Sequence, residues 1–475
     1  MKLKALYLLS ALLLGAYSSS AKVTLPAIMG DNMVLQQQSK VNLWGKAAPS
    51  KQIVVKTSWD KQSYTVSADM DGNWKVKVQT PAAGGPYEIS FNDGETVRLK
   101  NVLIGEVWYC SGQSNMEMPM KGFDRQPVEG ALDVILAAKE TTPIHVFTVR
   151  HAFSCSPLEK CNGSWKTNTP ENVVNASATA YFFARYLNEI LGVPVGLIVA
   201  EYGGTKIQTW MPEDAIRPYE NEKNLKHLGT NDKDRLHDKA CTLYNAMVAP
   251  ITSYGIKGML WYQGESNRTQ PELYEKLQEA FVKGMRGKFD CGEFPFYYVQ
   301  IAPFRYDGSD KTSSAVFREV QAKLMKQVPN CGMAVTLDIG DETGIHPRKK
   351  CEVGKRLAYW ALAKTYGKNP FSCSGPIYKS MQVEGKKVYL HFDNAPGGVA
   401  PLETPLDGFE VAGSDRKFYP ARAIVEAGKG LLSVTSDKVP EPVAVRYGYR
   451  NYVKGSLFDV YGNPAASFRT DDWEQ

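Results

Sequence analysis

Residues able to do chemistry gather in four short stretches: "WYCSGQSNMEM" (108–118), "EYGGT" (201–205), "QGESN" (263–267) and "DIGDETGIHP" (338–347). In the first, an apolar extended run gives way to small polar groups that include Ser114. A serine nucleophile needs a base for its proton, a group to orient that base, and donors for an oxyanion. The chain offers six histidines as base: His145, His151, His227, His237, His346 and His391. His346 alone combines a loop after an apolar strand with a following proline, which stiffens the backbone ahead of a helix. It is therefore the expected base. Gly203 and Gly204 let the backbone approach a substrate closely, so the N–H of Gly204 joins that of Ser114 as an expected oxyanion donor. Gln263 or Asn267 could add a side-chain amide.

Such groups work only if something brings them together. From about residue 101 to 369, apolar strands alternate with helix-length amphipathic stretches. The expected strands are Glu106–Cys110, Ile144–Val149, Val195–Ala200, Lys257–Tyr262, Phe296–Ile301 and Met333–Asp338. Expected helices include Ala176–Leu191, Pro271–Phe289, Ala315–Gln327 and Arg348–Tyr366. This alternation predicts an α/β unit with a parallel sheet covered by helices on both faces. All four polar stretches follow predicted strands, and ligands in such sheets sit beyond the carboxyl ends of the strands. The loops should share one rim. Residues 22–99 instead read as short alternating segments split by turn signals, the pattern of a β-sandwich. Strands return from about residue 372, so the expected division is 1–21, 22–99, 100–371 and 372–475.

At the N-terminus, Lys2 and Lys4 precede an apolar run from Ala5 to Tyr17 and then small residues to Ala21. This resembles a cleaved signal peptide, so a secreted or periplasmic protein without a membrane anchor is expected. A formal charge of +6 over 475 residues is close to neutral and argues against nucleic-acid binding. Eight cysteines suit an oxidising compartment; Cys155 and Cys161 are the expected local pair, while Cys110 and Cys331 read as core. With no CxxC, HExxH or histidine cluster, neither a metal nor another cofactor is expected.

The ordered motifs "SGQSNMEM", "YGGT", "WYQGESN" and "DIGDETGIHP", with "DNMVLQQ", "FREVQ" (317–321) and "SFRTDDW" around them, resemble the sialate O-acetylesterase family of the SGNH hydrolase superfamily. The likeness covers most of residues 22–475. It implies a flavodoxin-like core, a metal-free serine esterase and O-acetylated sugars as substrates. Ser114 would be the nucleophile, His346 the base and Gly204 an oxyanion donor. The chain departs from the superfamily at the orienting acid: Thr343 and Gly344 stand where related hydrolases carry Asp before the histidine. Glu265 is the first replacement considered, Asp341 the second and Asp338 the third, with a backbone carbonyl as a further option. Asn267 lies in an Asn-x-Ser/Thr sequon, as do Asn162 and Asn175, but a glycan there would block the site and none is expected.

The expectation is thus a secreted esterase acting on O-acetylated glycans, with acetylated sialic acids first. Lys206, Arg125 and Arg305 are candidate cations for a sialate carboxylate. An acetyl-xylan or other plant-glycan esterase is the alternative within the same chemistry. A carbohydrate-binding protein with an inert serine is the alternative outside it.

Overall fold

The computed structural model describes residues 22–222, Leu225 and residues 237–473. The expected leader (1–21) and His227 lie outside them. Residues 22–99 hold no helix and fold into β1 (Val34–Gln36), β2 (Lys40–Lys46), β3 (Gln52–Thr57), β4 (Ser63–Ser67), β5 (Asn73–Gln79) and β6 (Gly84–Asn92). Alternation decides what is buried: Val41 and Leu43 of β2 and Trp74 and Val78 of β5 point inward. β2 and β5 pair antiparallel, and their inward residues share a core with Ile53, Val55, Ile89 and Phe91 of the neighbouring sheet.

β7 (Thr96–Gly112) runs 17 residues, passing through residue 100 and joining this unit to the next. Its first half pairs antiparallel with β6. Its second half enters a sheet with β8 (Ile144–Thr148), β9 (Trp165–Lys166), β10 (Val195–Glu201), β11 (Gly258–Tyr262), β12 (Phe296–Val299) and β13 (Cys331–Ala334). The order is β13-β12-β11-β7-β10-β8-β9, parallel except for β9 at the edge. Successive side chains of β7 face opposite layers. Trp108 and Cys110 pack with Phe183, Leu187, Val353 and Leu357, from helices Ala178–Leu191 and Lys350–Trp360. Tyr109 packs on Phe289, 5.2 Å between ring centroids, in a core that also takes in Phe281, Met285 and Phe317 from helices Pro271–Phe289 and Ser313–Gln327. Both faces of the sheet are therefore covered, as the near-continuous apolar strands require.

Beyond residue 376 come two antiparallel four-stranded sheets. The end of the chain belongs to one of them: Phe468–Arg469 pairs with Ala444–Tyr447, and Arg469 Nε donates to Glu319 Oε2 at 2.9 Å. All eight cysteines are free, so Cys155 and Cys161 are not the expected pair. Among the described residues, no helix is long and apolar enough to cross a membrane.

Candidate active site

β7 lies between β10 and β11 with Gly112 in register with Glu201 on one side and Tyr262 on the other. The "SGQSN", "EYGGT" and "QGESN" stretches thus leave the sheet at one level. Gly112 has φ +147, and a Cβ there would sit 2.1 Å from Tyr262 O, so only glycine passes. Gln113 follows in extended backbone, its N–H donating to Tyr262 O at 3.0 Å, and Ser114 opens the short helix Ser114–Glu117.

His346 comes from the loop after β13. Its Nε2 lies 2.8 Å from Ser114 Oγ, and its Nδ1 lies 2.6 Å from Gln126 Oε1. With the amide oxygen facing Nδ1, that nitrogen carries the proton and Nε2 is left to accept the Ser114 hydroxyl. The Phe123 ring stands edge-on, 5.2 Å between centroids. Burial, helped by the Lys350 ammonium, lowers the imidazole pKa to about 4, so the ring is a neutral base at ordinary pH.

None of the three expected acids holds the ring. Glu265 is buried, and its Oε1 accepts from Asn115 Nδ2 at 2.6 Å. Asp341 Oδ1 accepts from the backbone N–H groups of Thr343 and Gly344 at 3.0 and 3.2 Å and from the Thr343 hydroxyl, which shapes the His346 loop. Asp338 makes a two-pronged pair with Arg356, 2.7 Å on each prong. The residue sequence reasoning missed is Gln126. It sits in a tight turn where Phe123 and Gln126 exchange backbone hydrogen bonds of 3.1 and 3.0 Å. Its only sequence signal was a polar residue close after the serine motif, in a stretch without periodicity.

The expected oxyanion groups divide. Gly203 lies against the serine turn: a Cβ on it would crowd Glu117 Oε2 at 2.8 Å and meet Ser114 Cβ at a contact distance of 3.4 Å. The Gly203 N–H is taken by Glu117 Oε2 at 2.6 Å. Gly204 follows at φ +71 and is exposed, and among the described residues neither its N–H nor that of Ser114 donates to a protein acceptor. Gln263 and Asn267 are fully buried and turned to other work. Gln263 Nε2 donates to Thr205 O at 3.1 Å and to Asn267 Oδ1 at 2.8 Å, and Asn267 Oδ1 also accepts the Ile207 N–H at 2.9 Å. The two amides support the loop after Gly204. Beneath it, burial and the neighbouring Glu117 hold the Glu201 carboxyl well above the usual carboxylate range.

Of the cations considered for an acidic sugar, Arg125 is next to Gln126 with its side chain 92% exposed and its Nε 3.6 Å from Asp124 Oδ2. Among the described residues, no cluster of three or more His, Cys, Asp and Glu is placed to hold a metal ion.

The human sialate O-acetylesterase is 28% identical over 411 residues, covering 76% of this chain and 75% of that protein. The mouse protein of the same name is 28% identical over 408 residues, covering 74% and 75%. The crystal structure of a carbohydrate acetylesterase from Xanthomonas citri superposes with a TM-score of 0.85 at 33% identity, over 95% of this chain and all of that one. These relatives make the chain a carboxylic ester hydrolase, and the reading as an inert carbohydrate-binding protein gives way. Residues 104–363, more than half of the chain, match the family described as carbohydrate esterase, sialic acid-specific acetylesterase, and the chain belongs to that family.

Proposed function

We propose that this chain is a secreted serine esterase with an SGNH-type core that removes acetyl groups from O-acetylated sialic acids through an acyl-serine intermediate. The observation that carries the proposal is the 2.8 Å contact between Ser114 Oγ and His346 Nε2. The substrate class rests on the family description and on the names of the mammalian relatives. The leader-like residues 1–21 support secretion, and a mature N-terminus just after Ala21 would test it.

In this mechanism, Ser114 Oγ attacks the acetyl carbonyl while His346 Nε2 takes its proton. The carbonyl electrons move onto oxygen, which meets the N–H groups of Ser114 and Gly204. As the bond to the sugar oxygen breaks, the imidazolium returns its proton to that oxygen and the free hydroxyl departs. Water then attacks the acetyl-serine, His346 takes the water's proton, and collapse releases acetate and restores the Ser114 hydroxyl. Gln126 accepts from Nδ1–H throughout and keeps Nε2 aimed at the serine.

One experiment tests both parts. Ser114→Ala and His346→Ala should each abolish acetate release from an aryl acetate. The unaltered enzyme should release acetate from 9-O-acetyl sialate faster than from acetylated xylan. Activity retained by Ser114→Ala would overturn the mechanism. Preference for acetylated xylan would overturn the substrate class and favour the plant-glycan reading.

A further inference from the structure

Beneath the Ser114–His346 contact lies a buried polar unit that the mechanism does not use. Asn115, directly after Ser114, is fully buried and bonds in several directions. Its Nδ2 donates to Glu265 Oε1 at 2.6 Å and to Ile345 O, the carbonyl just before His346, at 3.2 Å. Its Oδ1 accepts from Lys350 Nζ, and its backbone carbonyl accepts the Thr179 hydroxyl at 3.1 Å. Lys350 is fully buried with its Nζ 5.2 Å from the centre of the Tyr262 ring.

We propose that Lys350, Asn115 and Glu265 form one positioning unit that sets the distance and angle between Ser114 and His346. The proposal rests on the serine–histidine reading above. The serine-bearing helix, the histidine loop, the "QGESN" turn and the helix Lys350–Trp360 meet at a single amide. A shift of any of them would reach both ends of the contact.

The location of Lys350 is the strongest part of the argument. It is the first residue of its helix, where the dipole disfavours a cation, and it has no contact with water. Burial lowers its pKa to about 7, opposed by Glu265, while burial raises that of Glu265, opposed by Asn115 and Lys350. An ordinary core position would be filled more stably by an apolar residue of similar size. What a lysine adds here is a long, directional donor to Asn115 and, as pH falls below about 7, a positive charge near the imidazole. The groups facing His346 are Ser114, Gln126, the Phe123 ring and this ammonium. Those facing Lys350 are Asn115, Glu265 and Tyr262.

The test uses the full chain carrying Lys350→Met or Asn115→Ala, with two readouts. In the first, the His346 imidazole is titrated by NMR, which needs no turnover. In the second, kcat and KM are measured on an aryl acetate. Lys350→Met is expected to move the His346 titration to higher pH and to lower kcat, with KM little changed. Asn115→Ala is expected to lower kcat by roughly 10²-fold, the effect of displacing a reacting group by about an ångström. Folded variants with an unmoved titration and undiminished kcat would overturn the proposal. Activity in Ser114→Ala would overturn the serine–histidine reading instead, while leaving the imidazole titration interpretable.

Discussion

The Nδ1 of His346 lies 2.6 Å from the side-chain oxygen of Gln126, so the group behind the imidazole is a neutral amide. An aspartate in that place would stabilise the imidazolium formed during acyl transfer, and losing one costs about 10⁴ in turnover. An amide fixes the tautomer and the ring angle but contributes no charge. Gln126→Ala is therefore expected to lower kcat by only roughly 10²-fold, the cost of a loosened base. Gln126→Glu places a carboxylate there, so the acidic limb of its pH–rate profile should move to higher pH. Steady-state kinetics on both variants check this, and a 10⁴-scale loss in the alanine variant would contradict it.

In the proposed mechanism the His346 imidazole also sets the pH range. Its pKa is lowered to about 4, first by burial and then by Lys350. With a neutral base retained well below pH 6.5, kcat/KM on an aryl acetate should hold through that pH and fall only toward pH 4.

Stability follows from the same shift. Between pH 6.5 and 4 the unfolded chain binds the proton that the folded chain refuses, so stability rises with pH across that window. The contribution is complete above pH 6.5 and is lost as pH falls toward 4. Urea unfolding should show that slope lessened in His346→Ala.

Gly203 offers a second check on the oxyanion groups. Its N–H is held by Glu117, and a methyl group on it would come within 2.8 Å of Glu117 Oε2 while only touching Ser114 Cβ at 3.4 Å. Gly203→Ala should displace the Gly204 N–H and lower kcat by about 10²-fold or more, the cost of one oxyanion donor. KM should change little. A variant with normal kcat and an unchanged thermal melt would remove Gly204 from the mechanism.

Much of this site could be read from the residues alone, for reasons that differ by position. Ser114 and His346 stood out because each lies beyond an apolar strand, and parallel topology forces such loops to one rim. The central strands and the long helices announced themselves through apolar runs and helical periodicity. Gln126 carried no such mark. It is an uncharged residue in an aperiodic turn, and a search for a carboxylate passes over it. Glu265 drew notice because it leaves a separate strand end and could approach the imidazole from the side, yet its partner Asn115 was hidden within the serine motif. Gln263 and Asn267 were expected at the oxyanion, but their amides face inward to Thr205 and Ile207. Only the folded register of β7 against β11 shows which way they turn.

The "FREVQ" stretch supports a final prediction, about what ties the molecule together. Phe317 packs on the Tyr274 ring at 4.5 Å, and Gln321 donates to Gln263 O at 3.2 Å, so both support the sheet side. Arg318 reaches the other way. It is fully buried, and its Nη2 donates to the backbone carbonyls of Gly448 at 2.9 Å and Arg450 at 2.6 Å, while Nε reaches Ser467 Oγ at 3.2 Å. One guanidinium on helix Ser313–Gln327 thus holds the strand end after Ala444–Tyr447 and the approach to Phe468–Arg469. Burial lowers its pKa to about 10, still far above physiological pH, so it remains charged. Arg318→Met fills similar volume but leaves buried carbonyls without donors, each costing about 1–3 kcal/mol. A loss of about 2 kcal/mol or more in urea unfolding is expected, with kcat per folded molecule unchanged because no reacting group is touched. Lysine should rescue poorly, since one ammonium cannot span the acceptors that the planar fork reaches. If Arg318→Met unfolds at the same urea concentration as the unaltered chain, the C-terminal sheets are held by their apolar contacts and the guanidinium is dispensable.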